Sequence, residues 1–217
     1  MKNSNSFEQN TAKEQIKNAF TQYIRQHGKA PATPYNLMAE LGEDEKFFYD
    51  NYSSFINIEQ EIWGEYLTET VQRLRSESVY AEYMVREKLL AFYFTLVEVL
   101  KENRSFVINE LSARNGGFRR KVLTDFKNGF YEYINILLEE GMDTGEVEQR
   151  MFVGSKYDKL LWAETEFLIR FWVKDDSKNF ERTDAAVEKT VNFAMDLIGR
   201  NIADSAFDFV KFLFQRK

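Results

Sequence analysis

From Ala12 onward the apolar residues recur three and four positions apart. Ile16, Ala19, Phe20, Tyr23 and Ile24 make one stripe, which predicts an amphipathic helix. Gly28 stops it, and Pro31 and Pro34 mark the connection. Thr33 suits an N-cap with Pro34 in the first helical position. A short helix then runs from about Pro34 to Leu41, with Leu37, Met38 and Leu41 inward, and Gly42 ends it. Asp44 caps a third helix, about Glu45 to Asn51. Two short helices joined by a tight Gly turn after a longer first one make a helix-turn-helix arrangement. Residues 1–11 are polar and expected to fray.

After a break at 53–57 the helices lengthen. Ile58, Ile62, Tyr66, Val71 and Leu74 predict the next. Ser76 or Ser78 caps another that runs to about Asn103. Between Leu89 and Leu100 only Thr95 and Glu98 interrupt the apolar run, so this helix is buried on most sides. Further helices are predicted over about 105–114, 119–140 (stopping at Gly141) and 157–173, with a last one opening at Thr183. No alternation of strand period is visible. The expected fold is all-α: a helix-turn-helix domain over 1–57 and a larger helical domain over 58–217.

Composition narrows the chemistry. Cysteine is absent and His27 is the only histidine. Thiolate chemistry, an HExxH zinc site and a paired-histidine di-iron site are thereby excluded. His27, beside Gly28, reads as a helix-terminal residue near the negative end of the dipole. No acid–base pair or cofactor motif is visible, so no enzyme, cofactor or metal is expected. The N-terminus lacks the apolar core of a secretory signal, and the longest uncharged apolar stretch, Leu89 to Val97, is too short to span a bilayer. A cytoplasmic location is expected. The net charge of -6 argues against broad affinity for nucleic acid, though not against a local basic patch.

Ile16, Ala19, Tyr23, Gly28, Thr33, Leu37, Ala39, Gly42, Tyr49, Tyr52 and Ile58, with GEDEKFFY over 42–49, resemble the N-terminal domain of TetR/AcrR-type regulators. The resemblance implies a homodimer whose heads bind operator DNA, and a larger domain that takes up a small apolar or lipid-like effector. It places the DNA contacts at Thr33, Lys46, Phe47, Tyr49 and Tyr52. Lys13, Lys17 and Lys46, with the hydroxyls of Thr33, Tyr49 and Tyr52, are the groups available for a phosphate-contacting rim. The departures are electrostatic. Glu43, Asp44 and Glu45 open the recognition segment, and Phe55 replaces a common Lys. Over 12–57 the cations at 13, 17, 25, 29 and 46 face carboxylates at 14, 40, 43, 44, 45 and 50. The head is thus slightly negative, and phosphate neutralisation is the usual source of DNA affinity.

Most aromatic residues lie beyond residue 58. An effector cavity needs an apolar lining with a few polar anchors. Tyr93, Phe94, Phe130, Trp162 and Phe167 are the candidate lining, with Glu98 and Glu164 as anchors; the competing reading is ordinary core. The resemblance also implies dimerisation through the last two long helices, about 157–174 and 183–200, filled by Leu161, Leu168, Trp172, Val187, Phe193 and Leu197. At the C-terminus Phe207, Phe209, Phe212 and Phe214 crowd one amphipathic stretch. It either packs on the protein or makes peripheral contact with a membrane. The alternative on this scaffold is therefore a non-enzymatic lipid- or isoprenoid-binding protein that has lost DNA binding.

Overall fold

The computed structural model describes residues 2–111, 120–149 and 156–199, with side chains from Thr11 onward except that of Arg120. Nine α-helices occur among them: α1 Lys2–His27, α2 Pro34–Leu41, α3 Glu45–Asn51, α4 Phe55–Ser76, α5 Val85–Glu102, α6 Arg104–Leu111, α7 Thr124–Thr144, α8 Tyr157–Lys174 and α9 Glu181–Ile198. No strand occurs among the described residues. The chain forms two compact units, 1–66 with 100–126, and 67–99 with 127–217. The division passes within α4, α5 and α7. It differs from a cut at residue 57, because compactness groups the first half of α4 and all of α6 with the head.

In the first unit the predicted stripe of α1 is the core: Ile16, Phe20 and Ile24 are fully buried, as are Leu37 and Met38 of α2 and Phe48 of α3. Phe55 stacks on Phe20 at 5.2 Å between ring centroids and meets Phe48 edge-on at 5.4 Å. Its place in the sequence register therefore serves packing. The first helix begins at Lys2 rather than near Ala12; no Gly or Pro interrupts Lys2 to His27.

In the second unit Phe92, Tyr93, Phe130 and Trp172 are fully buried or nearly so. The predicted helix from Ser76 or Ser78 is broken in two. Ser78–Glu82 forms a 3-10 turn, and α5 starts at Val85, where Glu146 accepts the Val85 N–H at 3.0 Å and Glu87 the Met84 N–H at 2.9 Å. Gly141 does not stop α7. It lies inside the helix against Val147 and Val85, and the stop falls at Gly145, with φ of 80°. The last helix starts at Glu181, after Asn179 and Phe180 take positive φ. Thr183, the predicted opener, instead gives its N–H and hydroxyl to Asp175 at 2.9 and 2.6 Å.

Candidate functional site

Local chemistry defines α2 and α3. Thr33 is extended, accepts the Asn36 N–H at 3.3 Å, and places Pro34 at the start of α2. Gly42 closes α2 in the left-handed region at φ 71°, and its N–H and that of Glu43 return to α2 carbonyls. Asp44 then caps α3 by accepting the Phe47 N–H at 3.0 Å. These two caps and one left-handed glycine fix a short helix–turn–helix.

Of the residues expected on its outer face, Lys46 and Tyr49 are exposed and Phe47 is half-buried. Thr33 is exposed, but its hydroxyl is engaged with Asn36. Tyr52 requires correction. Only 4% of it is exposed, its hydroxyl donates to Glu61 at 3.1 Å, and the Lys13 ammonium sits over its ring. It closes α3 from inside the head. A residue that the register missed is Tyr35, 66% exposed on the first turn of α2. The signal was present: Leu37 and Met38 face inward and position 35 falls on another face of α2, whereas Leu41, expected inward with them, is exposed at the helix end.

The cations expected at a phosphate rim are already paired. Lys17 is 4% exposed and contacts Glu14, Glu61 and Glu65. Burial opposes its charge, but these three carboxylates outweigh that and raise its pKa. It is a buried node of the head and no part of an exposed rim. Lys13 pairs with Glu61 at 3.4 Å. Burial acts to raise the Glu61 pKa, yet Lys17, Lys13 and the Tyr52 hydroxyl bring it below its ordinary value. Lys46 pairs with Asp50 one turn along α3, which raises its pKa. The Glu45 carboxylate accepts the backbone N–H of Tyr35 at 3.1 Å, so an acid already holds an amide of the first turn of α2.

The expected effector residues do not line a common cavity, although Phe130 meets Trp162 and Tyr93 lies near Glu164. Tyr93, Phe130 and Trp162 are buried. Phe130 packs on Phe92 and Trp162 at 5.7 and 5.6 Å, and Lys127 lies over the rings of Tyr131 and Trp162. Phe94 is half-buried, Glu98 is exposed, and Phe167 is 48% exposed. One cavity, of about 630 Å³, lies in the first unit along α1 and α4, walled by Glu14, Gln15, Asn18, Gln22 and Arg25. A second, of about 310 Å³, lies in the second unit between α4 and α7. Neither is lined by any of the seven.

Glu164 is nonetheless unusual. It is 8% exposed on α8, and neither carboxylate oxygen has a hydrogen-bond donor in place. The Tyr93 hydroxyl is engaged with Leu161 and Thr165 at 3.3 and 3.0 Å, and that of Thr190 points to the Val187 carbonyl. Burial pushes the Glu164 carboxyl up to about 7, with the nearby Thr190 and Tyr93 hydroxyls pulling the other way.

α8 and α9 pack together as a pair. Leu161, Leu168, Trp172 and Val187 are buried within this chain alone, a correction to their expected place in a dimer interface. Leu197 is half-buried, whereas Phe193 is 67% exposed. The pair is joined by the buried Asp175 carboxylate, which takes hydrogen bonds from Ser177 and Thr183. Burial works against its ionisation, but those hydrogen bonds win and hold its pKa at about 2. The Phe-rich stretch 207–214 lies outside the described residues. Among the described residues, no helix is long and apolar enough to cross a membrane.

Comparison with known proteins agrees with this architecture. No curated protein and no solved structure matches the chain significantly. A family model described as a tetracyclin repressor-like C-terminal domain matches residues 88–213, more than half of the 217. The same family was indicated independently by the residues of the head. The chain therefore belongs to the TetR-like family of transcriptional regulators.

Proposed function

We propose that the chain is a ligand-responsive regulator that binds operator DNA as a homodimer and is released or modulated by a small apolar effector. The observation that carries this reading is the capped pair α2–α3, with Tyr49 and Lys46 exposed on the second helix and Tyr35 on the first. Thr33, Phe47, Tyr49 and Lys46 are the proposed contacts. Affinity would rest on hydrogen bonds and shape more than on charge, since Lys13, Lys17 and Lys46 are paired with carboxylates. Few counterions would then be released, and binding would depend only weakly on salt.

Dimerisation is proposed through α8 and α9, where Phe167 and Phe193 leave apolar rings exposed. A symmetric pair presents the same patch twice, and operator reading requires the two α3 helices about 34 Å apart. Selection of genomic fragments by the full chain at low salt tests the reading. A palindromic site should be enriched and should be lost with Tyr49→Ala. In parallel, Phe193→Glu should shift the sedimentation coefficient from dimer to monomer.

The second reading is a lipid- or isoprenoid-binding protein on the same fold without DNA binding. The pairing of Lys13, Lys17 and Lys46 with carboxylates favours it. Failure to enrich any site, together with a lipid retained in native mass spectrometry, would select it.

A further inference from the structure

The groove between α4 and α7 has a definite chemistry. One stripe of α4 (Leu67, Val71, Arg75) faces one stripe of α7 (Gly129, Tyr133, Ile136) across about 310 Å³ of space. The helices approach closely at one point: a Cβ on Gly129 would lie 2.6 Å from the Leu67 Cδ2. Ile136 is 55% exposed in the groove, and Tyr133 is buried, its hydroxyl 2.6 Å from that of Tyr80.

Arg75 is the cation of this groove and has no carboxylate partner among the described residues. Burial raises the pKa of both Tyr80 and Tyr133, and Arg75 acts against that rise at each. Its positive charge therefore reaches the Tyr133 hydroxyl. Glu132 also lines the groove, so the carboxylate of a bound anion must sit on the Arg75 side of it. Thr68 and Gln72 also line the groove. An apolar strip of Leu67, Val71 and Ile136 beside a guanidinium suits an amphipathic anion, because a guanidinium presents a planar fork to a carboxylate. The volume lies at the small end of ligand pockets, about 300 Å³ and upward. The stripe from Leu67 to Arg75 spans about 12 Å of helix, which suits a carbon chain of about ten.

We propose that this groove binds a medium-chain carboxylate, its tail along Leu67, Val71 and Ile136 and its carboxylate on Arg75. The inference names the effector class and rests on the reading of the chain as an effector-responsive regulator. The groove's α4 wall belongs to the helix that also carries Glu61 and Glu65, the carboxylates that hold Lys17.

Titration of the full chain with sodium decanoate, followed by calorimetry without DNA, tests the site by itself. One decanoate per chain should bind, more tightly than decan-1-ol or decylamine. Arg75→Ala, an exposed position, should weaken binding about tenfold, the scale of one charge-assisted contact. Val71→Trp should abolish it with the helical circular dichroism retained, while Glu132→Gln should leave it intact or tighter. Absence of binding, equal binding of the amine, or insensitivity to Arg75→Ala would overturn the proposal. The same titration repeated on the DNA complex separates the two claims. Decanoate that binds the chain yet leaves DNA affinity unchanged would keep the site and overturn its role as an effector site.

Discussion

Glu45 accepts the backbone N–H of Tyr35 at 3.1 Å, so the head carries an acid at the first turn of its own α2. That turn is where a phosphate would be met, because free amides and the helix dipole attract anions. A phosphate must therefore displace a carboxylate or bind beside it. Glu45→Gln keeps a carbonyl acceptor for the amide and removes the charge. It should tighten binding to a selected operator several-fold, read by fluorescence anisotropy. Unchanged affinity would mean that the first turn of α2 does not meet the backbone.

The pKa of Glu164 makes stability fall as the solution becomes more alkaline. Held at about 7 in the fold against an ordinary value of 4.5, the carboxyl keeps a proton that the unfolded chain loses. Unfolding thus releases a proton between those two values, and stability declines as pH rises through that window, then levels off. Glu164→Gln removes the effect. Relative to the parent, the variant should gain up to about 3 kcal/mol at pH 8 and much less at pH 4.5. Urea denaturation at the two values measures it.

Asp175 has the opposite sign. Its pKa of about 2 lies below the ordinary 3.8, so its contribution is complete above that ordinary value and is lost as pH falls through about 2. Asp175→Asn should cost about 2 kcal/mol at pH 7, with the difference vanishing in strong acid. Thermal melts across that range provide the check.

Gly141 sits inside α7, and a Cβ there would lie 2.5 Å from Val147 Cγ2 and 3.2 Å from Val85 Cγ2. Both neighbours are β-branched and yield little. Overpacking costs about 1–3 kcal/mol, against roughly 1 kcal/mol gained in helix propensity. Gly141→Ala should destabilise by about 1 kcal/mol in denaturant titration.

The features readable from the chain were those set by neighbouring residues. Thr33, Gly42 and Asp44 each act on amides or carbonyls within four positions, so α2 and α3 begin and end where their caps predict. Gly141 shows where this fails. A local rule makes it a stop, but Val147 and Val85 need the space a missing side chain leaves, and the helix continues. Tyr49 and Tyr52 looked alike in register. Glu61 from α4 and Lys13 from α1 hold Tyr52 inside, while Tyr49 stays exposed. The same holds for Lys17, whose carboxylate partners include Glu61 and Glu65, far along the chain. Glu164 was legible as a polar residue on an apolar face, but its lack of a donor depends on how Tyr93 and Thr190 spend their protons.

The central claim is that α3 presents its outer face to DNA, and a photo-crosslinking residue at position 49 tests it most directly. Installed there in the full chain and irradiated with genomic fragments at low salt, it should capture DNA, while the same residue at exposed position 79 should not. Capture at position 49 no greater than at 79 would contradict the account.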